Sequence, residues 1–124
     1  MKKAMMILGV ILFTSMFLTS CGNSGYDLSS PESTINTLIK ACSEKDKNGL
    51  SLCFSKQSAR EFKSIVDKNL SEKDLNDLKE MFANAKIKSS KINGSKASVS
   101  IDLAIRDEEI FMAKENENWV ILDF

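Results

Sequence analysis

The chain has 124 residues and a hydrophobic fraction of 43%, enough for one small domain with a core of its own. Its 17 basic and 17 acidic residues cancel, and no window is basic enough to follow a phosphate backbone, so no nucleic-acid partner is expected. Histidine is absent, which removes the commonest general base near neutral pH and the commonest metal ligand and weighs against an enzyme; no metal and no bound cofactor is expected.

Met1-Lys2-Lys3 gives a positive start, and Ala4 to Leu18 follows without a charge, interrupted only by Gly9, Thr14 and Ser15. As a helix this run rises about 22 Å, short of the roughly 30 Å of a bilayer's hydrocarbon core, so it reads as a signal peptide over 1–20 rather than a permanent span. The run ends in Leu18-Thr19-Ser20-Cys21, with small residues where a processing peptidase needs them. This tetrapeptide resembles the lipobox of bacterial lipoproteins. The resemblance implies a diacylglyceryl thioether on the Cys21 sulfur, cleavage between Ser20 and Cys21, and an acyl chain on the new amino group. A thiolate is the nucleophile that such chemistry requires, and two or more buried chains hold a protein firmly where one does not. It also implies attachment to the cell envelope. Gly22 stands where aspartate marks inner-membrane retention in many two-membrane bacteria, so the outer membrane is favoured where the organism has one. A plain secretory signal with an incidental cysteine is the competing reading.

Residues 21–30 form the lipidated cysteine and a tether, since GNSGYDLSS is rich in glycine and serine. The domain occupies 31–124. Ser29 or Ser30 caps a helix with Pro31 in its first turn, and Ile35, Leu38, Ile39 and Cys42 set an apolar stripe over about 31–44. SEKDKNG breaks the stripe, and Leu50, Cys53 and Phe54 resume it on a short second helix. Ser58-Ala59-Arg60-Glu61 reads as a capping box for a third helix carrying Phe62, Ile65 and Val66, and Ser71-Glu72-Lys73-Asp74 opens a fourth with Leu75, Leu78, Met81 and Phe82 inward.

After Ala85 the period falls from 3.6 to 2. Ala97, Val99, Ile101, Leu103 and Ile105 alternate with Ser98, Ser100, Asp102, Ala104 and Arg106 in a half-buried strand. Asn93-Gly94 turns it back on Lys86 to Ile92, and two further turns lead into Glu109 to Lys114 and Trp119 to Phe124. Helices first and a four-stranded antiparallel meander last is an α+β arrangement, with the helices on one face of the sheet.

SPESTINTLIKACSEKDKNGLSLCF is similar to the opening of the nuclear transport factor two-like superfamily, and ENENWVILDF is similar to its close. The resemblance covers about Ser30 to Phe124 and rests on the order of elements. It implies a curved sheet and helices forming a cone, in a group where small exported lipoproteins are common. Superfamily enzymes of the steroid isomerase and polyketide cyclase type place a carboxylate inside that cone, often with a tyrosine or histidine. Here the only tyrosine, Tyr26, falls in the tether, and Asp102 alternates onto the polar face, so no catalytic residue is carried over.

Cys42 and Cys53 lie symmetrically about the loop between the first two helices. They read either as a disulfide closing a helical hairpin or as two buried free thiols. The last strand is apolar on both faces, with Val120, Leu122 and Phe124 on one and Trp119 and Ile121 on the other. Either a curled sheet buries both sets, or Trp119 and Ile121 form an exposed patch for a ligand, a second copy or an envelope protein. The expected function is a membrane-anchored, non-enzymatic module that binds a small apolar ligand or an envelope protein, as a monomer or weak dimer. An acid–base enzyme using the same cone, and a structural envelope-assembly or protective protein, are the alternatives.

Overall fold

The computed structural model describes residues 26–124. The lipobox residues Leu18, Thr19, Ser20 and Cys21 lie outside the described residues. Helix α1 spans Pro31–Glu44. Ser30 caps it by accepting from the Ser33 amide, Pro31 occupies the first turn, and Lys45 ends it in the left-handed conformation at φ 54°. Its apolar stripe is buried: Ile35, Leu38, Ala41 and Cys42 are at most 1% exposed. Helix α2, Lys47–Cys53, follows after a two-residue turn, with Asp46 accepting from the amides of Asn48 and Gly49.

The third helical segment is weaker than its sequence implies. Arg60–Phe62 is a 3-10 turn, and α3, Lys63–Val66, is a single helical turn. Ser58 does not act as the cap. Its amide donates to the Ser55 carbonyl in a turn, and Ala59 leads the segment with no side-chain cap. Helix α4, Glu72–Met81, carries the expected capping box, with Ser71 and Asp74 each accepting from the other's amide. Leu75 and Phe82 are buried beneath it, while Leu78 and Met81 remain half-buried.

Strands β1 (Lys86–Asn93), β2 (Lys96–Asp102), β3 (Asp107–Glu115) and β4 (Asn118–Asp123) form one antiparallel sheet in sequential order. The described residues are therefore α+β, with four helices beside a four-stranded sheet. The β1–β2 turn uses Gly94 and Ser95, with Asn93 paired to Lys96, and only Gly94 has positive φ, 66°. That is the type II′ pattern, in which glycine takes the first turn position. The β3–β4 turn has Asn116 at 51° and Glu117 at 71°, the two left-handed residues of type I′. Strand β2 stops at Asp102 rather than running to Arg106. The Asp102 carboxylate accepts from the Ala104 amide at 2.7 Å, Leu103 N–H donates to the Arg106 carbonyl, and Ile105 is left 81% exposed at the hairpin tip.

Helix α1 crosses the sheet over β1, β2 and β4, while α2 packs on α1 and β4. Ala97, Met112 and Ile121 stand side by side across β2, β3 and β4, on the buried row that faces the helices. The outer strand β4 is closed off by the chain after α2. Phe54 bridges Ile121 in parallel, Ser55 N–H donates to the Ile121 carbonyl at 2.8 Å, and Ala59 N–H to that of Leu122. The opposite edge, β1, carries Lys86, Lys88 and Lys91, charges that discourage pairing with another chain.

Candidate functional site

Residues 26–30, read from composition as tether, are held against the domain. Tyr26 Oη donates to Asp46 Oδ2 at 2.6 Å, Thr37 Oγ1 donates to the Asp27 carbonyl at 3.0 Å, and Trp119 N–H donates to the Leu28 carbonyl at 2.8 Å. The tyrosine hydroxyl lowers the Asp46 carboxyl below its ordinary range, with help from the Gly49 amide, and the phenol itself is raised. Any tether is therefore shorter than glycine and serine content alone implies.

Of the two readings of the last strand, the exposed patch at Trp119 and Ile121 is not formed. Trp119 is 5% exposed and Ile121 is fully buried. The cause is the strand register: Ile121 opposes Met112 on the helix side of the sheet. Thr34 Oγ1 of α1 also donates to the Trp119 carbonyl at 2.7 Å, fixing the helix over that strand. The structure buries Trp119, Val120 and Ile121 and leaves Leu122 and Phe124 half-buried.

Cys42 and Cys53 are both buried and are free thiols. Cys53 Sγ points at the Thr34 carbonyl, 3.7 Å away, as a weak donor. Burial pushes the Cys42 thiol up to about 12 and raises Cys53 further, to which the neighbouring Cys42 adds. Thiols held protonated in this way are poor nucleophiles and poor metal ligands. Among the described residues no group of histidine, cysteine and carboxylate side chains could hold a metal ion. The buried polar side chains among them are Thr34, Thr37 and Ser55, none of them a carboxylate. Asp102, the strand carboxylate considered for acid–base work, is engaged in the hairpin turn.

The structure instead gathers a cleft of about 360 Å³ between the 60–66 segment and α4. Its apolar lining is Phe62, Ile65, Leu70, Leu78, Met81 and Phe124. Phe62 and Phe124 stack with centroids 5.0 Å apart and planes 17° from parallel. Phe54 abuts Phe62 at 5.3 Å, and Phe82 meets Phe124 edge-on at 6.3 Å, so the aromatic wall is braced from the core. The α4 capping box fixes the helix that supplies Leu78 and Met81. Glu61, Asp74 and Asp77 stand exposed on the rim. The cleft joins residues from three parts of the chain; Phe62, Ile65, Leu78 and Met81 carried a sequence signal as helix-stripe positions and Phe124 as an apolar position of the last strand, whereas Leu70 carried none. The signal for the rim was the i, i+3 spacing of Asp74 and Asp77, which places both on one side of a helix.

No family model matches the chain, and neither the curated proteins nor the solved structures contain a match to it. Among the described residues no helix is long and apolar enough to cross a membrane.

Proposed function

We propose that this chain is a lipoprotein of the bacterial cell envelope, lipidated at Cys21 after cleavage behind Ser20, whose domain is a binding module of the nuclear transport factor two-like cone type. The anchor rests on Leu18-Thr19-Ser20-Cys21 at the end of an uncharged run with a basic start. The cone reading rests on element order, with α1 and a short α2 opening the domain and a strand with Trp119 near its start closing a four-stranded meander. The binding reading is carried by one observation: a half-open apolar cleft walled by stacked Phe62 and Phe124. Clefts of this volume take small organic ligands, and an apolar wall left partly in water gains free energy when covered.

An enzyme of the steroid isomerase or polyketide cyclase type would need a carboxylate inside the cone, whereas the carboxylates at this cleft stand on its exposed rim. The favoured role is therefore retention of a small apolar ligand or an apolar segment of an envelope protein, at the outer membrane where one exists. Cells fed an alkyne-bearing fatty acid should incorporate it into the native protein and not into Cys21→Ser. Incorporation that persists in Cys21→Ser overturns the anchor. Leu78→Arg, which fills the cleft with a charged side chain at a half-exposed position, should abolish ligand uptake while leaving the circular dichroism spectrum intact. Uptake that survives this change overturns the cleft as the binding site.

A further inference from the structure

The cleft is apolar inside, but its charge is one-sided. The carboxylates that line it are Glu61, Asp74 and Asp77, and among the described residues no lysine or arginine lines it with them. The cations of the same segment, Arg60 and Lys63, line the adjacent cleft together with Lys56, and Lys63 is held there by Asp67 at 3.1 Å. Asp77 pairs with Lys73 at 2.9 Å, with both side chains more than half exposed. Exposed pairs of this kind contribute little and exchange readily for another cation. Asp74 accepts the Ser71 amide with Oδ2, which fixes its carboxylate over the first turn of α4.

From this we infer that the cleft between the 60–66 segment and α4 selects amphiphilic organic cations, ligands whose apolar body lies on Phe62, Phe124 and Met81 and whose ammonium group meets Glu61 and Asp77. The inference rests on the reading of the cleft as a binding site and specifies the ligand class. A neutral amphiphile gains only the apolar contact, and an anionic one meets three carboxylates.

Met81 and Met112 are the only methionines after Met16, and they give a site readout with an internal control. Met81 lines the cleft, whereas Met112 is 1% exposed in the sheet core. The full chain, labelled at its methionine methyl groups and held in phosphatidylcholine nanodiscs, is titrated with 4-phenylbutyltrimethylammonium, 4-phenylbutanol and 4-phenylbutyl sulfate, with empty discs as blank. The Met81 methyl resonance should shift saturably with the ammonium probe at a Kd about tenfold below that of the alcohol, with the sulfate weaker still and Met112 unmoved. Glu61→Gln combined with Asp77→Asn, both at exposed positions, should bring the ammonium Kd up to that of the alcohol and leave the alcohol's own Kd unchanged. Equal affinity for all three probes, or preference for the sulfate, overturns the cation class while the cleft remains a binding site. A Met81 resonance that answers none of the probes overturns the binding site itself.

Discussion

Tyr26 Oη lies 2.6 Å from Asp46 Oδ2, and the tyrosine ring covers Gly49 so closely that a Cβ there would sit 2.7 Å from its Cε2 and 2.9 Å from its Cζ. The segment leading into the domain is thus locked to the start of α2 by one hydrogen bond and one side-chain-free position. Gly49→Ala must push the ring away and loosen its bond to Asp46. It also brings a Cβ to 3.0 Å from that of Ala41. The change should destabilise the domain by about 1–2 kcal/mol even though alanine is the better helix former. In a Tyr26→Ala background the same substitution should cost at least about 1 kcal/mol less, because the clash has gone. Urea unfolding of the four proteins measures this coupling, and additive penalties would show that ring and glycine do not oppose each other.

The same pair makes stability depend on pH at both ends of the scale. Asp46 is lowered chiefly by the Tyr26 hydroxyl and then by the Gly49 amide. A carboxyl lowered on folding contributes stability that is present above its ordinary value of 3.8 and is lost as pH falls through the folded value. Tyr26 is raised, chiefly by the hydrogen bond to Asp46, so its contribution is complete below 10.0 and fades as pH rises. Asp27 and Glu32 are lowered as well, by Ser29 and Ser90 respectively, so acid sensitivity alone does not single out Asp46. The difference between wild type and Tyr26→Phe does. It should be flat from about pH 5 to pH 9 and shrink towards about pH 2 and above about pH 10, as measured by denaturant unfolding across the series.

Cys42 and Cys53 should behave as core residues towards thiol reagents. With both thiols raised by burial, iodoacetamide at pH 8 should leave them unmodified in the folded protein and alkylate both in urea, as read by mass spectrometry. Cys42→Ser places a hydroxyl at a site 1% exposed and should cost about 1–3 kcal/mol, whereas Cys42→Ala should cost less because it strands no polar group. A Cys42→Ser protein as stable as wild type would mean that the hydroxyl finds a partner the thiol lacks.

Helix α1 was fully legible because three local signals agree: Ser30 can cap, Pro31 suits the first turn, and the stripe from Ile35 to Cys42 has one period. The capping box at Ser71 and Asp74 was legible for the same reason. The identical type of signature at Ser58 misled, because Ser58 is committed to a turn with Ser55 and the chain there is pinned along the edge of β4. Alternation carried β2 four residues too far, since Leu103 and Ile105 keep the pattern while the Asp102 carboxylate turns the backbone. Trp119 could not be placed from its own strand, because both faces of β4 are apolar and the choice is made by Met112 and Thr34, distant in sequence. The cleft was invisible for a related reason. Its acidic rim is assembled from Glu61 on one segment and Asp74 and Asp77 on another, and Phe124 enters only when β4 is in place.

Phe124 illustrates how binding surface and stability share one side chain. Its ring stacks on Phe62, meets Phe82 edge-on and remains half-buried at the cleft. Phe124→Ala removes those ring contacts and opens the cleft floor, so it should destabilise by about 2–3 kcal/mol, less than a fully buried Phe→Ala change. Phe124→Leu should restore most of that stability, since apolar cover returns. It should not restore affinity for the phenyl-bearing probes, because a leucine side chain offers no flat face for the ligand's ring to stack on. Chemical unfolding and the Met81 methyl titration separate the two effects, and recovery of both by leucine would mean that the ring acts only through its bulk.

The β3–β4 turn offers a gain rather than a loss. Glu117 is held at φ 71° in the second left-handed position of a type I′ turn, a conformation that is costly for a residue with a Cβ and free for glycine. Its carboxylate is 92% exposed, and its contact with Lys114 is a loose 3.9 Å, so little else depends on it. Glu117→Gly relieves about 1–2 kcal/mol of backbone strain and forfeits about 0.5–1 kcal/mol through the freer unfolded chain. The net gain of about 0.5–1 kcal/mol should raise the melting midpoint by roughly 2–8 °C in a domain of this size. Calorimetry on the two proteins measures the shift directly. A lowered midpoint would show that Glu117 holds the turn through its side chain, since the backbone term alone favours glycine.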